Sequence, residues 1–332
     1  MTKPITIYQD LSHDLPNLNH KRRRVLARVA AAELPALRLT QRDIALIDAC
    51  YSYRALTTPQ MQQLFFKHSS TRGQLVQCQY RLKLLYHHGY LYRDEQPTKL
   101  SEGRRSLVYF LDRRGAALLA ECLNIDVSDL DWHPKNNAAG ASHLFLEHLL
   151  KTNDIRIALT LAAEQEEFSL ERWLDDKTLK SRQLKEYVKI KDAKGHEQRA
   201  AVIPDGYFCL SQGQYQYHHF LEADLRTVIG RSSKSGRRDW ARKIRTYLAY
   251  HENGQFQKRY HAPSFRVLTV TTGERRLENL KRITEAAGGK SRFWFTTFDR
   301  LSAETMLSQP IWQIAGREGE FSLMRAAVTK ED

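Results

Sequence analysis

From Thr40 onward the apolar positions fall at helical spacing. Ile44, Ala45 and Ile47 follow a Thr40–Asp43 pair that reads as a capping box. Thr57-Thr58-Pro59 starts a second helix through Met61, Leu64 and Phe65, with Pro59 at a first-turn position where its missing N–H costs nothing. Leu75, Cys78, Leu82 and Leu85 give the inner face of a third helix, from about Gln74 to His88, which Gly89 ends. Strands follow at Tyr90–Arg93 and Leu107–Leu111, and a further helix runs from Asp112 to Leu123.

Three helices followed by a hairpin is the order of a winged helix-turn-helix, here over residues 39–125. On the third helix Gln74, Gln77 and Arg81 share the outer face, with Arg72 at its start. Glutamine and arginine are side chains that reach base edges in a major groove. Lys99, Arg104 and Arg105 fall on the wing. Residues 1–38 read as a basic arm, in which Arg22, Arg23 and Arg24 are placed to lie on phosphates. The plainer alternatives are a solvated helix face for the arm and a protein-binding winged helix for the domain.

Residues 126–140, with Pro134 and Asn136-Asn137, make a polar linker. The next domain is expected over 141–300. It opens with a long helix from Ser142, carrying Leu144, Phe145, Leu149 and Leu150, with His143 and Glu147 on one side. Strands are expected at Phe168–Trp173, at Ala201–Leu210 with a break at Pro204-Asp205-Gly206, and at Gln214–Leu225. A basic loop holding Lys234, Arg237 and Arg238 leads to a helix over Trp240–His251 that bears Lys243. Strand Phe265–Thr271, helix Glu274–Ala287 and strand Arg292–Thr297 follow, and 301–332 reads as a C-terminal tail. Helix, three strands, helix, strand is the core order of restriction-endonuclease-like domains, so the chain is expected to mix α+β and α/β architecture. Glu222 and Asp224, two apart in a strand, share a face. Such acids are costly when buried unless they hold a metal or meet a cation; otherwise they line a solvated strand face.

At 332 residues two domains are expected, and 42% hydrophobic residues suffice for sizeable cores. No apolar run approaches the roughly 20 residues of a membrane span, and residues 1–16 lack a signal-peptide core. Four scattered cysteines with no Cys-x-x-Cys pair fit a reducing cytoplasm. The net charge of +14 points to a polyanionic partner, nucleic acid or membrane surface. Gly289-Lys290-Ser291 imitates the end of a P-loop but lacks the first glycine, Thr284 standing in its place, so ATP use has no support.

Thr40 to Leu119, Pro204-Asp205-Gly206, Phe220-Leu221-Glu222-Ala223-Asp224 and the helix from Lys243 to Tyr250 together resemble the replication-relaxation family of mobile elements. That family overlaps the C-class mobilisation relaxases, described as a winged helix joined to a PD-(D/E)xK nuclease-like domain. The resemblance implies DNA processing at an origin of transfer or replication, with double-stranded DNA and other mobilisation or coupling proteins as partners. Carried over by residue, it makes Asp205 the first acid and Glu222 the acid of the next strand. Asp224 stands where the family's lysine is usual, so Lys243 on the following helix is the candidate replacement. Asp205, Glu222, Asp224 and Glu147 would then hold Mg2+ or Mn2+ for phosphodiester hydrolysis. A covalent mechanism through Tyr247 or Tyr250 competes, although no His-x-His motif occurs among the 13 histidines. Outside the enzymes, the alternatives are a catalytically silent accessory or replication protein and a winged-helix transcriptional regulator.

Overall fold

The computed structural model describes residues 28, 34–66, 71–96, 105–133, 143–191, 195–225 and 233–324, with the side chains of 71, 143 and 233–239 left undescribed. The chain divides into two compact units, residues 1–143 and 144–332. It is a mixed α and β protein.

The first unit runs α1 (Gln41–Ser52), β1 (Leu56–Thr57), α2 (Thr58–Phe65), α3 (Thr71–His87), β2 (Leu91–Asp94), β3 (Val108–Leu111) and α4 (Arg113–Leu123). Its sheet has the order β1-β3-β2 and is antiparallel throughout. Both expected caps form: Thr40 and Asp43 close a reciprocal capping box on α1, and Thr57 and Gln60 close another on α2. Each satisfies two otherwise orphaned backbone N–H groups. Gly89 ends α3 with a φ of +79°, a conformation that a side chain would strain. Leu46, Ile47, Met61, Cys78, Leu82, Leu85 and Phe110 fill the core. The expected linker starts later than 126, because Leu130 is buried and the Trp132 indole donates to Leu111 O at 3.3 Å. Arg22, Arg23, Arg24, Lys99 and Arg104 lie outside the described residues.

Arg81 departs from its expected role. Its Nε donates to Asp43 Oδ1 at 2.8 Å, and its Nη2 reaches Asp43 Oδ2 as well. Asp43 is fully buried, so its charge requires a partner, and α3 supplies it. Burial pushes the Asp43 carboxyl up, but hydrogen bonds from Arg81 and Thr40 outweigh that and hold it below the usual range. The exposed face of α3 instead presents Arg72, Val76, Gln77, Gln79, Tyr80 and Lys83.

The second unit begins with α5 (His143–Gln165), β4 (Ser169–Asp175), α6 (Asp176–Lys180), β5 (Glu186–Lys191), β6 (Glu197–Val202), β7 (Gly206–Gln212) and β8 (Tyr215–Asp224). It continues with α7 (Ser233–Glu252), α8 (Gln255–Tyr260), β9 (Arg266–Thr271), α9 (Glu274–Ala286), β10 (Phe293–Thr297), β11 (Trp312–Ile314) and β12 (Glu320–Phe321). Seven strands form one mixed sheet in the order β12-β11-β10-β9-β8-β7-β4, with β8, β9 and β10 parallel. One face packs on α5 through Ile155, Leu159, Phe208, Leu221, Leu268 and Trp312. The other packs on α7, α8 and α9 through Tyr207, Phe220, Val267, Ile244, Tyr247, Leu277 and Phe293.

Two expectations are corrected here. The strand expected over Ala201–Leu210 belongs to two sheets: β6 pairs only with β5, and after the break at Pro204-Asp205 the chain enters the main sheet as β7. The expected tail from 301 adds β11 and β12 and buries Met306, Leu307, Ile311 and Trp312 in the core. Its hydrophobic residues are spread over turns and two short strands, so no long period marks it.

Arg81→Ala leaves the buried Asp43 carboxylate uncompensated, and the expected loss is about 3–5 kcal/mol in denaturant unfolding at pH 7. Because Asp43 titrates lower in the folded state, the pair's contribution is present above the unfolded carboxyl value and disappears as pH falls through the folded one. The difference between wild type and variant therefore shrinks in acid. Unchanged stability combined with lost site-specific DNA affinity would return Arg81 to base reading.

Candidate functional site

The carboxyl ends of the parallel strands carry the candidate chemistry. β8 contributes Glu222, level with Thr269 of β9, and Asp224, level with Thr271. Asp205 precedes β7, where its N–H donates to Leu221 O at 2.9 Å, which places it beside the same end of β8. Gly206 follows because the backbone here is covered by Trp173: a Cβ at this position would lie 3.2 Å from the ring.

Each acid is held differently. Asp205 Oδ2 accepts from the backbone N–H of Ala223 at 2.8 Å and lies 3.4 Å from His148 Nε2. His148 Nε2 also sits 3.2 Å from Ala223 O, so the imidazole bridges α5 to β8. Burial works against the Asp205 charge, but His148 and the Lys243 ammonium hold its carboxyl below the usual range. The same hydrogen bond to Asp205 raises His148 above an ordinary histidine.

Glu222 is only 2% exposed. Lys243 Nζ and Tyr247 Oη, one helical turn apart on α7, donate to its two carboxylate oxygens. Burial raises Glu222 to about 7, with Asp205 adding to the rise and Lys243 opposing it. Lys243 is correspondingly raised: the charges of Glu222, Asp205 and Asp224 all favour its ammonium over the cost of burial. Asp205, Glu222 and Lys243 are thus brought together from three separate elements.

Asp224 is withdrawn from this group. Arg276, in the first turn of α9, grips it with two hydrogen bonds of 2.8 and 2.9 Å, and Thr271 Oγ1 donates at 2.7 Å. Its expected place as a third metal ligand is therefore corrected: its oxygens bind a guanidinium that ties α9 to the sheet. On α5 the residue that meets Asp205 is His148, next to the expected Glu147. Among the described residues no group of three or more His, Cys, Asp and Glu side chains is disposed to hold a metal ion. Tyr247 and Tyr250 are buried, and burial together with their bonds to Glu222 and Glu186 raises both phenols. Neither is set up as an exposed nucleophile. Lys234, Arg237 and Arg238 fall in the first turns of α7, where side chains are not described.

A family model described as replication-relaxation matches residues 48–263, a span that includes Asp205, Glu222, Asp224, Lys243 and Tyr247. The chain belongs to the replication-relaxation family. No curated protein matches it. Two solved structures of the restriction endonuclease FokI, one of them bound to DNA, give TM-scores of 0.25 and 0.22 at 12% and 14% identity. They cover 80% of this chain and 44% and 45% of theirs, so the chain spans less than half the length of FokI. A likeness that distant carries no argument about fold or chemistry.

The Glu222 environment has a measurable signature in this family member. Folded Glu222 keeps its proton to about 7 whereas the ordinary glutamate value is 4.5, so between those values the native state binds more protons than the unfolded state. Burying Glu222 therefore costs progressively more as pH rises through that window. Glu222→Gln should gain stability relative to wild type from the lower to the upper limit, read as a growing difference in melting temperature. A difference that stays constant would mean Glu222 is ionised throughout.

Proposed function

We propose that this protein is a metal-dependent DNA-nicking relaxase acting at an origin of transfer or replication of a plasmid or integrative element. The observation that carries the reading is the convergence of Asp205, Glu222 and Lys243 at the carboxyl end of the parallel strands. Two acids and a lysine delivered by a strand break, the next strand and the following helix are the elements of a PD-(D/E)xK site, with the lysine moved to the helix. In the first unit, helix, strand, two helices and two strands in a three-stranded sheet support a winged helix. α3 would then enter the major groove of double-stranded DNA with Gln77 and Arg72 exposed.

The donor set fits a hard divalent ion in a reduced form. Mg2+ is commonly held by one or two carboxylates with substrate phosphate oxygens and water completing the shell. Asp205 and Glu222 would be those carboxylates, without Asp224 or Glu147. When bound, Mg2+ or Mn2+ supplies Lewis-acid polarisation of the phosphodiester and an acidified water. The chain's own contributions are distinct. His148 and the Ala223 N–H orient Asp205, Tyr247 fixes one oxygen of Glu222, and Lys243 sets an ammonium beside the acids. There it can answer the charge that develops on a scissile phosphate.

One observation favours a second reading, a catalytically silent DNA-binding protein: each of the three acids already has a cationic partner in His148, Lys243 or Arg276. Nicking of supercoiled DNA from the protein's own element, with and without Mg2+ or Mn2+, separates the two. Asp205→Ala should abolish nicking and leave specific DNA binding nearly intact, while Lys243→Ala should slow the reaction with little change in metal dependence. Absence of nicking by wild type with either metal, or normal nicking by Asp205→Ala, defeats the nuclease reading in favour of the silent one.

A further inference from the structure

The β5–β6 ribbon stands apart from the main sheet and has two very different faces. Val188, Ile190, Ala200 and Val202 point inward and are buried against α7 and its neighbours. The base is fixed by polar contacts: Tyr250 Oη donates to Glu186, Arg259 pairs with Glu186 at 2.8 Å and donates to Leu184 O at 2.6 Å. Gln255 Nε2 adds a bond of 3.3 Å to Tyr187 O. A ribbon anchored on two helices in this way presents its outer face rigidly.

That outer face is basic. Lys189 lies opposite Arg199, and both are exposed with Lys191 and Tyr187. The Tyr187 ring is covered by the Arg199 guanidinium at 3.7 Å from its centroid, with Lys185 Nζ at 5.4 Å. Cations collected over an aromatic ring are held in place without losing their charge. Among the described residues the acid on this face is Glu197, which sits toward the tip and pairs loosely with Lys189 at 3.8 Å.

The ribbon is also tied to the acid site by the chain itself. β6 ends at Val202, and Asp205 follows after Ile203-Pro204. On α7 Arg242 donates to Arg199 O of the ribbon at 3.4 Å, and the next residue, Lys243, donates to Glu222.

We infer that the outer face of the β5–β6 ribbon is a DNA-backbone track that carries the strand leading to the Asp205–Glu222 site. The inference deepens the proposed function and rests on it for the direction of the strand. A six-residue ribbon is about 20 Å long, enough to follow several successive phosphates. Charge complementarity identifies the occupant: Lys185, Lys189, Lys191, Arg199 and Arg242 against Glu197 fit a polyanion. An anionic membrane is the poorer match, because the exposed aromatic is sheathed by cations rather than free to insert.

The test is the salt dependence of full-length protein binding to a random-sequence duplex without divalent metal. Each phosphate contact contributes about 0.9 to the slope of log K against log salt. The combined variant Lys189→Ala, Lys191→Ala, Arg199→Ala should flatten that slope by about 2–3, and the charge-preserving Lys189→Arg, Lys191→Arg variant should keep it. Replacing Arg275 and Lys290, exposed elsewhere on the unit, should have no comparable effect on the slope. A slope unchanged in the alanine variant, with its melting temperature preserved, overturns the track. So does a variant that loses binding only to phosphatidylserine-containing vesicles. Asp205→Ala keeps the two ideas separable: lost nicking with an unchanged ribbon slope defeats the track alone, while a flattened slope with no nicking by wild type defeats only the enzyme.

Discussion

Glu222 sets the main constraint on the second unit. A carboxylate almost wholly removed from water pays a desolvation cost that only donors in contact can offset. The two donors come from one face of α7, Lys243 and Tyr247. To deliver both, α7 must lie across β8 in a fixed rotation. That rotation also brings Tyr247 against Phe220 and Phe293 and places Tyr250 against Phe256 and Phe265. The polar contact and the aromatic packing therefore specify the same docking of helix on sheet. Removing Lys243 alone would leave Glu222 with one donor and push it further toward the neutral acid, so the lysine has a structural role whatever its chemistry.

The three acids divide the work by their partners. Asp205 is oriented by a backbone N–H and an imidazole from the opposite helical layer, and it stays ionised. Glu222 is held near the point of protonation by burial. Asp224 is locked to Arg276 and Thr271 and acts as a bracket between β8, β9 and α9. Carboxylates brought to one end of the sheet thus acquire different protonation behaviour from their surroundings.

Much of this was readable in the sequence, and what was not has a physical cause. Asp205, Glu222 and Lys243 could be found because the strand break, the two-residue strand period and the following helix are local signals. The fate of Asp224 was hidden because its partner Arg276 lies 52 residues away and nothing in the intervening pattern pairs them. Arg81 misled for the same reason: helical spacing put it on the outer face, while the buried charge of Asp43, 38 residues earlier, drew it inward. On α5 the sequence points to Glu147, while His148, one helical step of about 100° further on, is the residue that meets Asp205. The β5–β6 ribbon carries a visible alternation, Val188 and Ile190 inward against Tyr187, Lys189 and Lys191 outward, but a short polar hairpin off the main sheet leaves no other mark in the sequence.

The distribution of charge gives the last step. The chain carries a net charge of +14, yet at the site the three acids meet Lys243, Arg276 and a histidine whose pKa Asp205 raises. The site is therefore close to neutral, neither repelling a phosphodiester strongly nor attracting one. Long-range attraction for a polyanion must come from basic surface outside it, where water and salt screen each charge and no single contact dominates. Within the site the opposite holds: low exposure makes each hydrogen bond and each proton count. Exposed cations and buried acids thus answer to different physics, and in this fold they lie on different surfaces joined by Arg242 and Lys243 of a single helix.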